Sequence, residues 1–121
     1  MTRSRLNLIV IRVANLERAG EFYALLGLGF ERHTHGKGPE HLAAEDQGMV
    51  FELYPASEKQ PVSSSTRIGF AVEDVDALFQ VLTAVPGAKS VAEPQDSEWG
   101  RRAGVADPDG HRIELTEFIS F

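Results

Sequence analysis

The chain contains no cysteine. That absence removes disulfides, thiolate nucleophiles and cysteine-held zinc together. Long apolar runs are also missing. Nothing approaches the ~20 consecutive apolar residues of a membrane-spanning helix. The opening MTRSRLNLIVIRV has a short apolar stretch that Arg12 interrupts. A signal peptide calls for a longer apolar core and a small-residue cleavage site, so the expectation is a cytoplasmic protein. Positive charge is scarce: 12 Lys and Arg face 18 Asp and Glu, for a net charge of −6. A phosphate backbone is bound through a basic face, so nucleic acid is not an expected partner, nor is a membrane. What remains is 121 residues, 42% apolar and 25% charged, enough for a single domain over 1–121 with one modest core.

The chain is organised as two copies of one unit. In LIVIRVANLERAGEFYALLG, Ile9, Ile11 and Val13 alternate with Leu8, Val10 and Arg12, the period of a strand. Asn15 is an N-cap. Leu16, Ala19, Phe22, Tyr23 and Leu26 form one face of the helix that follows, and Gly27 stops it. RIGFAVEDVDALFQVL repeats the plan. Ile68, Phe70 and Val72 alternate with Arg67, Gly69 and Ala71, then Asp74 caps a helix with Val75, Leu78, Phe79 and Leu82 on one face. The shift from Val13-Ala-Asn-Leu16 to Val72-Glu-Asp-Val75 is 59 residues (72 − 13). Further strands are expected at Leu28–His33, Glu40–Glu45, Lys89–Glu93 and Arg102–Ala106. Phe51-Glu52-Leu53 and Ile113-Glu114-Leu115 close the two copies at a shift of 62 (114 − 52). Module one is placed at about 6–54 and module two at about 66–118. Between them 55–65, rich in Pro and Ser, reads as a linker. Each module is β-α-β-β-β, and such internal repetition organises a whole fold.

Asp107-Pro-Asp-Gly110 carries Pro second and Gly fourth, a type I turn joining antiparallel strands. In the strand after it, Ile113 and Leu115 face one side while Arg112, Glu114 and Thr116 face the other. Phe51 and Leu53 likewise oppose Val50, Glu52 and Tyr54. With the apolar sides packed on the helices, Glu52 and Glu114 occupy equivalent places on the opposite sheet face. A carboxylate withdrawn from water must be paired, hydrogen-bonded or metal-bound.

These stretches, DPDGHRIEL, LERAGEFYALLGLGF and FAVEDVDAL, together resemble the vicinal oxygen chelate superfamily, which includes glyoxalase I, bleomycin-resistance proteins and extradiol dioxygenases. The resemblance runs from about Leu6 to Phe118. It implies an α+β fold in which paired βαβββ modules form a cup-shaped mixed sheet with helices on the convex side, often with two chains sharing modules. A homodimer is expected, since one cup of this size leaves apolar surface and open sheet edges to cover; a compact monomer is the alternative. In metal-using relatives, four side chains converge in the cup, two from the first strands and two from the last. Glu52 and Glu114 match the last-strand positions. Leu8 and Arg67 match the first-strand positions, where relatives carry His or Gln. Leu has no donor atom, and Arg stays cationic without a lone pair to give. Slipping the first strand to present Asn7 would turn Ile9 and Ile11 onto the cavity side. The expectation is no metal cofactor, with a divalent ion as the alternative. Arg67 would replace the cation in a Glu52–Arg67–Glu114 cluster.

Arg12 lies late on the cavity side of the first strand, where an Arg of glyoxalase I relatives helps hold the glutathione carboxylate; a rim salt bridge is the alternative. Tyr54 is a cavity polar group, and Trp99 an aromatic able to stack on a planar ligand or pack on the sheet edge. The ligand-binding set is thus Arg12, Glu52, Tyr54, Arg67, Trp99 and Glu114, with Leu8, Val10, Val50 and Thr116 completing the lining. His33, His35 and His41 fall in ERHTHGKGPEH, whose composition is that of an exposed loop; a metal site is one alternative, and a ligand-facing histidine is another, since His33 and His35 share one strand face. His111, just past the turn glycine, is expected at the surface. No Ser or His stands in a nucleophile motif. Phe118 and Phe121 would cap the core or meet a partner chain. Three functions compete: metal-free binding of a small organic molecule, a metal-dependent lyase, isomerase or dioxygenase, and an interaction module with a filled, dry cavity.

Overall fold

The computed structural model describes residues 2–118; Phe121 lies outside them. Ten elements follow in the order β1 (Leu8–Val13), α1 (Leu16–Ala24), β2 (Phe30–His33), β3 (His41–Asp46), β4 (Met49–Pro55), β5 (Arg67–Val72), α2 (Val75–Thr83), β6 (Lys89–Ser97), β7 (Gly100–Ala106) and β8 (Arg112–Glu117). The chain divides into two compact units between Val62 and Ser63. Each unit is one βαβββ module, and the class is α+β.

In the first unit the strand order is β1-β4-β3-β2. β1 runs parallel to β4, while β4, β3 and β2 are antiparallel neighbours. A parallel pair needs a crossover, and α1 supplies it. Asn15 starts α1 by accepting the backbone N–H of Arg18. Gly27, at φ 92°, ends the turn that follows, its N–H donating to Ala24 O. Ala19, Phe22 and Tyr23 are buried, as are Ile11, Val13, Phe51 and Leu53 of the sheet, and the Tyr23 ring meets Phe51 edge to face at 5.2 Å. Gly20 permits the helix to approach the sheet: a Cβ there would come within 2.8 Å of the Leu42 side chain.

The second unit repeats this with order β5-β8-β7-β6. The shift of 59 maps β1 onto β5 and α1 onto α2 residue for residue. Asp74 caps α2 through Ala77 N–H. Val75 and Leu82 bury wholly, with Val105, Ile113 and Leu115 beneath them. The Asp107 turn closes through Gly110 N–H to Asp107 O at 2.9 Å, with Gly110 at φ 96°, a value glycine adopts without strain.

The strand expected over Lys89–Glu93 extends further, to Ser97. It runs through Pro94 because β6 is an edge strand, where a missing N–H leaves no ladder bond unmade. Two register shifts against β7, between Ser90 and Ala92 and between Ala92 and Gln95, absorb the irregularity.

Candidate functional site

Strand alternation sorts the side chains of each sheet into a helix-packed face and a free face. In the first unit the free face carries Leu8, Val10 and Arg12 from β1, and Val50, Glu52 and Tyr54 from β4. Leu8 is 48% exposed and Val10 40%, although both are apolar. Glu52 lies opposite Val10 on one side and Ala43 on the other. In the second unit Glu114 holds the same place, opposite Gly69 and Gly104.

That difference in neighbours decides what each carboxylate does. The two glycines leave space beside Glu114, and the diagonal neighbours fill it. Arg67 donates to Glu114 Oε1, and Arg102 donates to Oε2 at 3.2 Å. The Arg67 hydrogen bond is the main reason the Glu114 carboxyl is held below the usual glutamate range; desolvation opposes it, and the charges of Arg67 and Arg102 add to it. Arg67 and Glu114 are two members of the Glu52–Arg67–Glu114 cluster expected from the sequence; Glu52 belongs to the other unit. Arg102 is a member the sequence reading missed, though the β7–β8 turn places it two residues from the partner of Glu114. A cavity of about 260 Å³ borders this cluster, lined in part by Val91, Glu93, Arg112 and Glu114.

Glu52 has no guanidinium across from it. Its Oε2 lies 3.8 Å from His41 Nε2, inside the first unit. His41 corrects the expectation of an exposed histidine loop. It opens β3 and is only 1% exposed, because strand pairing turns it inward onto Tyr54. The two rings stack at 4.2 Å and 8°. Arg12 lies over the Tyr54 ring, 4.9 Å from its centroid, and donates to Pro55 O at 3.4 Å. The Pro39 carbonyl can only accept, so His41 Nδ1 carries a proton toward it at 3.2 Å. In the neutral ring Nε2 then accepts from the Tyr54 hydroxyl at 3.4 Å. His33 and His35 join the group, their centroids 5.9 and 5.1 Å from His41. Glu31 Oε2 lies 3.5 Å from His33 Nε2. A cavity of about 470 Å³ lies against these rings, bordered by Glu45 and Glu52 as well.

His111 is a second correction. It is 0% exposed rather than superficial. Its Nδ1 donates to Asp107 Oδ2 at 2.8 Å, and its Nε2 meets the Ser63 hydroxyl at 3.0 Å. Asp107 Oδ1 accepts from the backbone N–H groups of Asp109 and His111. The Ser–His–Asp order is that of a hydrolase relay. Here, however, the ring is wholly enclosed and the carboxylate is divided between ring and turn backbone. The network therefore locks the turn that launches β8. A further acidic group, Asp74, Asp76 and Glu117, is also occupied: Asp74 caps α2, Arg101 binds Asp76 through two nitrogens, and Glu117 accepts from Val75 N–H. Arg101 holds the Asp76 carboxyl below its usual range.

Trp99 stands in the turn between β6 and β7 and is 64% exposed. Phe118, just past β8, is 59% exposed.

The four positions that the resemblance assigns to a metal do not offer four free donor groups. Leu8 presents no donor, and both oxygens of Glu114 are engaged by guanidinium groups. A metal entering there would meet positive charge and a carboxylate already satisfied.

Comparison with known proteins places these features in context. The model of the glyoxalase/bleomycin resistance protein/dioxygenase superfamily matches residues 5–115. The phenazine antibiotic resistance protein EhpR of Enterobacter agglomerans is 30% identical over 118 residues, covering 90% of this chain and 88% of that protein. Among solved structures, TnmS3, an antibiotic binding protein from Streptomyces sp. CB03234, superposes with a TM-score of 0.75 at 26% identity, covering 97% of this chain and 98% of its own. A glyoxalase/bleomycin resistance protein from Albidiferax ferrireducens gives 0.74 at 25% identity, over 96% of this chain and 100% of the other.

Proposed function

The chain belongs to the glyoxalase/bleomycin resistance protein/dioxygenase superfamily, and from that membership we propose that it binds a small organic molecule without a metal. The observation that carries this reading is the Arg67–Glu114 pair. It puts a fixed cation where relatives place a metal ligand, and it needs no metal loading. A relative named for antibiotic resistance and a similar structure named for antibiotic binding support the same reading.

The residues that receive the ligand are Arg12, Glu52, Tyr54, Arg67, Trp99 and Glu114. Leu8 and Val10 supply apolar surface beside Glu52, and an apolar lining with a few polar groups is the usual make-up of a small-molecule site. The working form is a homodimer, which would cover the exposed Leu8 and Val10. Its setting is the cytoplasm, with which the cysteine-free composition agrees; among the described residues no helix is long and apolar enough to cross a membrane.

The test is metal content by inductively coupled plasma mass spectrometry on untagged protein, after incubation with Ni, Zn, Mn and Fe(II) and desalting. The expected outcome is no retained metal in the parent protein, and retention on replacing the guanidinium in Arg67→His. Near-stoichiometric metal in the parent, lost in Glu52→Gln or Glu114→Gln, would overturn the metal-free reading in favour of a lyase or dioxygenase.

A further inference from the structure

The first unit carries a column of rings that ends at a cavity. Tyr54 covers one face of His41. Beyond His41 stand His33 and His35, 5.9 Å apart and within 19° of parallel. These outer two are the solvent-accessible members, and both border the 470 Å³ cavity. Stacked π systems prefer centroid spacings of roughly 4.5–7 Å, and the column already repeats within that range. A flat ring placed in the cavity would continue it. Drug-sized sites run from about 300 to 1,000 Å³, so the space suits a molecule of two or three fused rings.

The charge of the same cavity is one-sided. Glu31, Glu45 and Glu52 border it, and no Lys or Arg stands among the described residues that line it. Arg12 is at the far end of the column, over Tyr54. Arg32 is tied to Glu17 and Glu40. The equivalent cavity of the second unit differs, with Arg102 and Arg112 set against Glu93 and Glu114. Carboxylates around a stacking wall, with histidines rather than Lys or Arg beside them, favour a ring that carries positive charge.

We propose that His33 and His35 form a stacking subsite for a planar aromatic cation, with Glu31, Glu45 and Glu52 selecting its charge. This names the ligand class of the binding function above and rests on that reading.

The experiment compares two probes of similar shape on the full chain at pH 8: proflavine, a cationic tricycle, and phenazine, a neutral one. Binding is followed by proflavine fluorescence and by calorimetry. Proflavine should bind at least tenfold tighter than phenazine. The double variant His33→Ala/His35→Ala should weaken proflavine tenfold or more. Glu45→Gln/Glu52→Gln should narrow the gap between the probes. His33→Asn/His35→Asn, which keeps polar side chains without an imidazole face, guards against a folding defect, and circular dichroism checks each variant. Equal affinity for the two probes, or proflavine binding indifferent to loss of both rings, overturns the subsite and leaves metal-free binding standing. Binding of neither probe also overturns it. If a thermal-shift screen of uncharged and anionic aromatics is silent too, the binding function falls with it.

Discussion

Tyr54 and His41 lie face to face, 4.2 Å between ring centroids and 8° between planes. They come from β4 and β3, and the contact encloses an imidazole that composition alone would leave in solvent. Removing it should be costly. His41→Ala is expected to destabilise the fold by about 2–4 kcal/mol, the range for truncating a large buried side chain. Tyr54→Phe should cost under about 1 kcal/mol, since it deletes only a long hydroxyl contact. Urea denaturation of both, with the double mutant, gives the coupling energy. Additive losses would show that the hydroxyl–imidazole contact contributes nothing.

The buried Asp107–His111 pair should behave differently from the surface ion pairs. Asp107→Ala leaves a buried ring nitrogen unmatched and the turn N–H groups without their acceptor. A loss of about 3–5 kcal/mol is expected. Ser63→Ala removes one neutral partner and should cost about 1 kcal/mol. Thermal melts of the two would rank them, and a reversed order would refute the lock.

Glu114 supplies a pH dependence with a definite sign. Its folded carboxyl is lowered from 4.5, first by the Arg67 hydrogen bond. A lowered folded value means the contribution is complete above the unfolded value and lost as the pH falls below it. Arg67 is 65% exposed and Glu114 32%, so solvent screening keeps the contribution near or below about 1 kcal/mol. Carboxyl NMR titration should place Glu114 below the other glutamates, and Arg67→Met should move it upward. No movement in that variant would remove Arg67 as the cause.

The two helix caps are equivalent and should count equally. Asn15→Ala and Asp74→Ala are each expected to cost about 1 kcal/mol. Because each cap acts on its own helix, the double mutant should sum. Denaturant midpoints with unchanged slopes would check this; a marked excess in the double mutant would contradict independent action.

Much of the fold was legible because it is written twice. Asn15 and Asp74, then Glu52 and Glu114, announce the same module at nearly the same spacing, and strand alternation assigns their faces. The Asp107 turn fixes the β7–β8 register, which placed Glu114 correctly and would also have yielded Arg102 by counting two residues on. The buried histidines were harder. His41 owes its burial to Tyr54, 13 residues away. His111 owes part of its environment to Ser63, 48 residues away. A local window sees only a polar residue near a turn or glycine. Asp107, four residues before His111, was the available signal, since an acid ahead of a histidine can fold back on it through a turn.

The irregular β6 has a consequence for self-assembly. A sheet edge with unpaired N–H and C=O groups invites another chain to extend it. β6 meets that hazard with Pro94, two breaks in register and the charges of Lys89, Glu93 and Asp96. At the corresponding edge of the first unit, β2 is only four residues long and bears Glu31 and Arg32. The β2 and β6 edges are therefore poor templates for fibril growth, each in its own sheet.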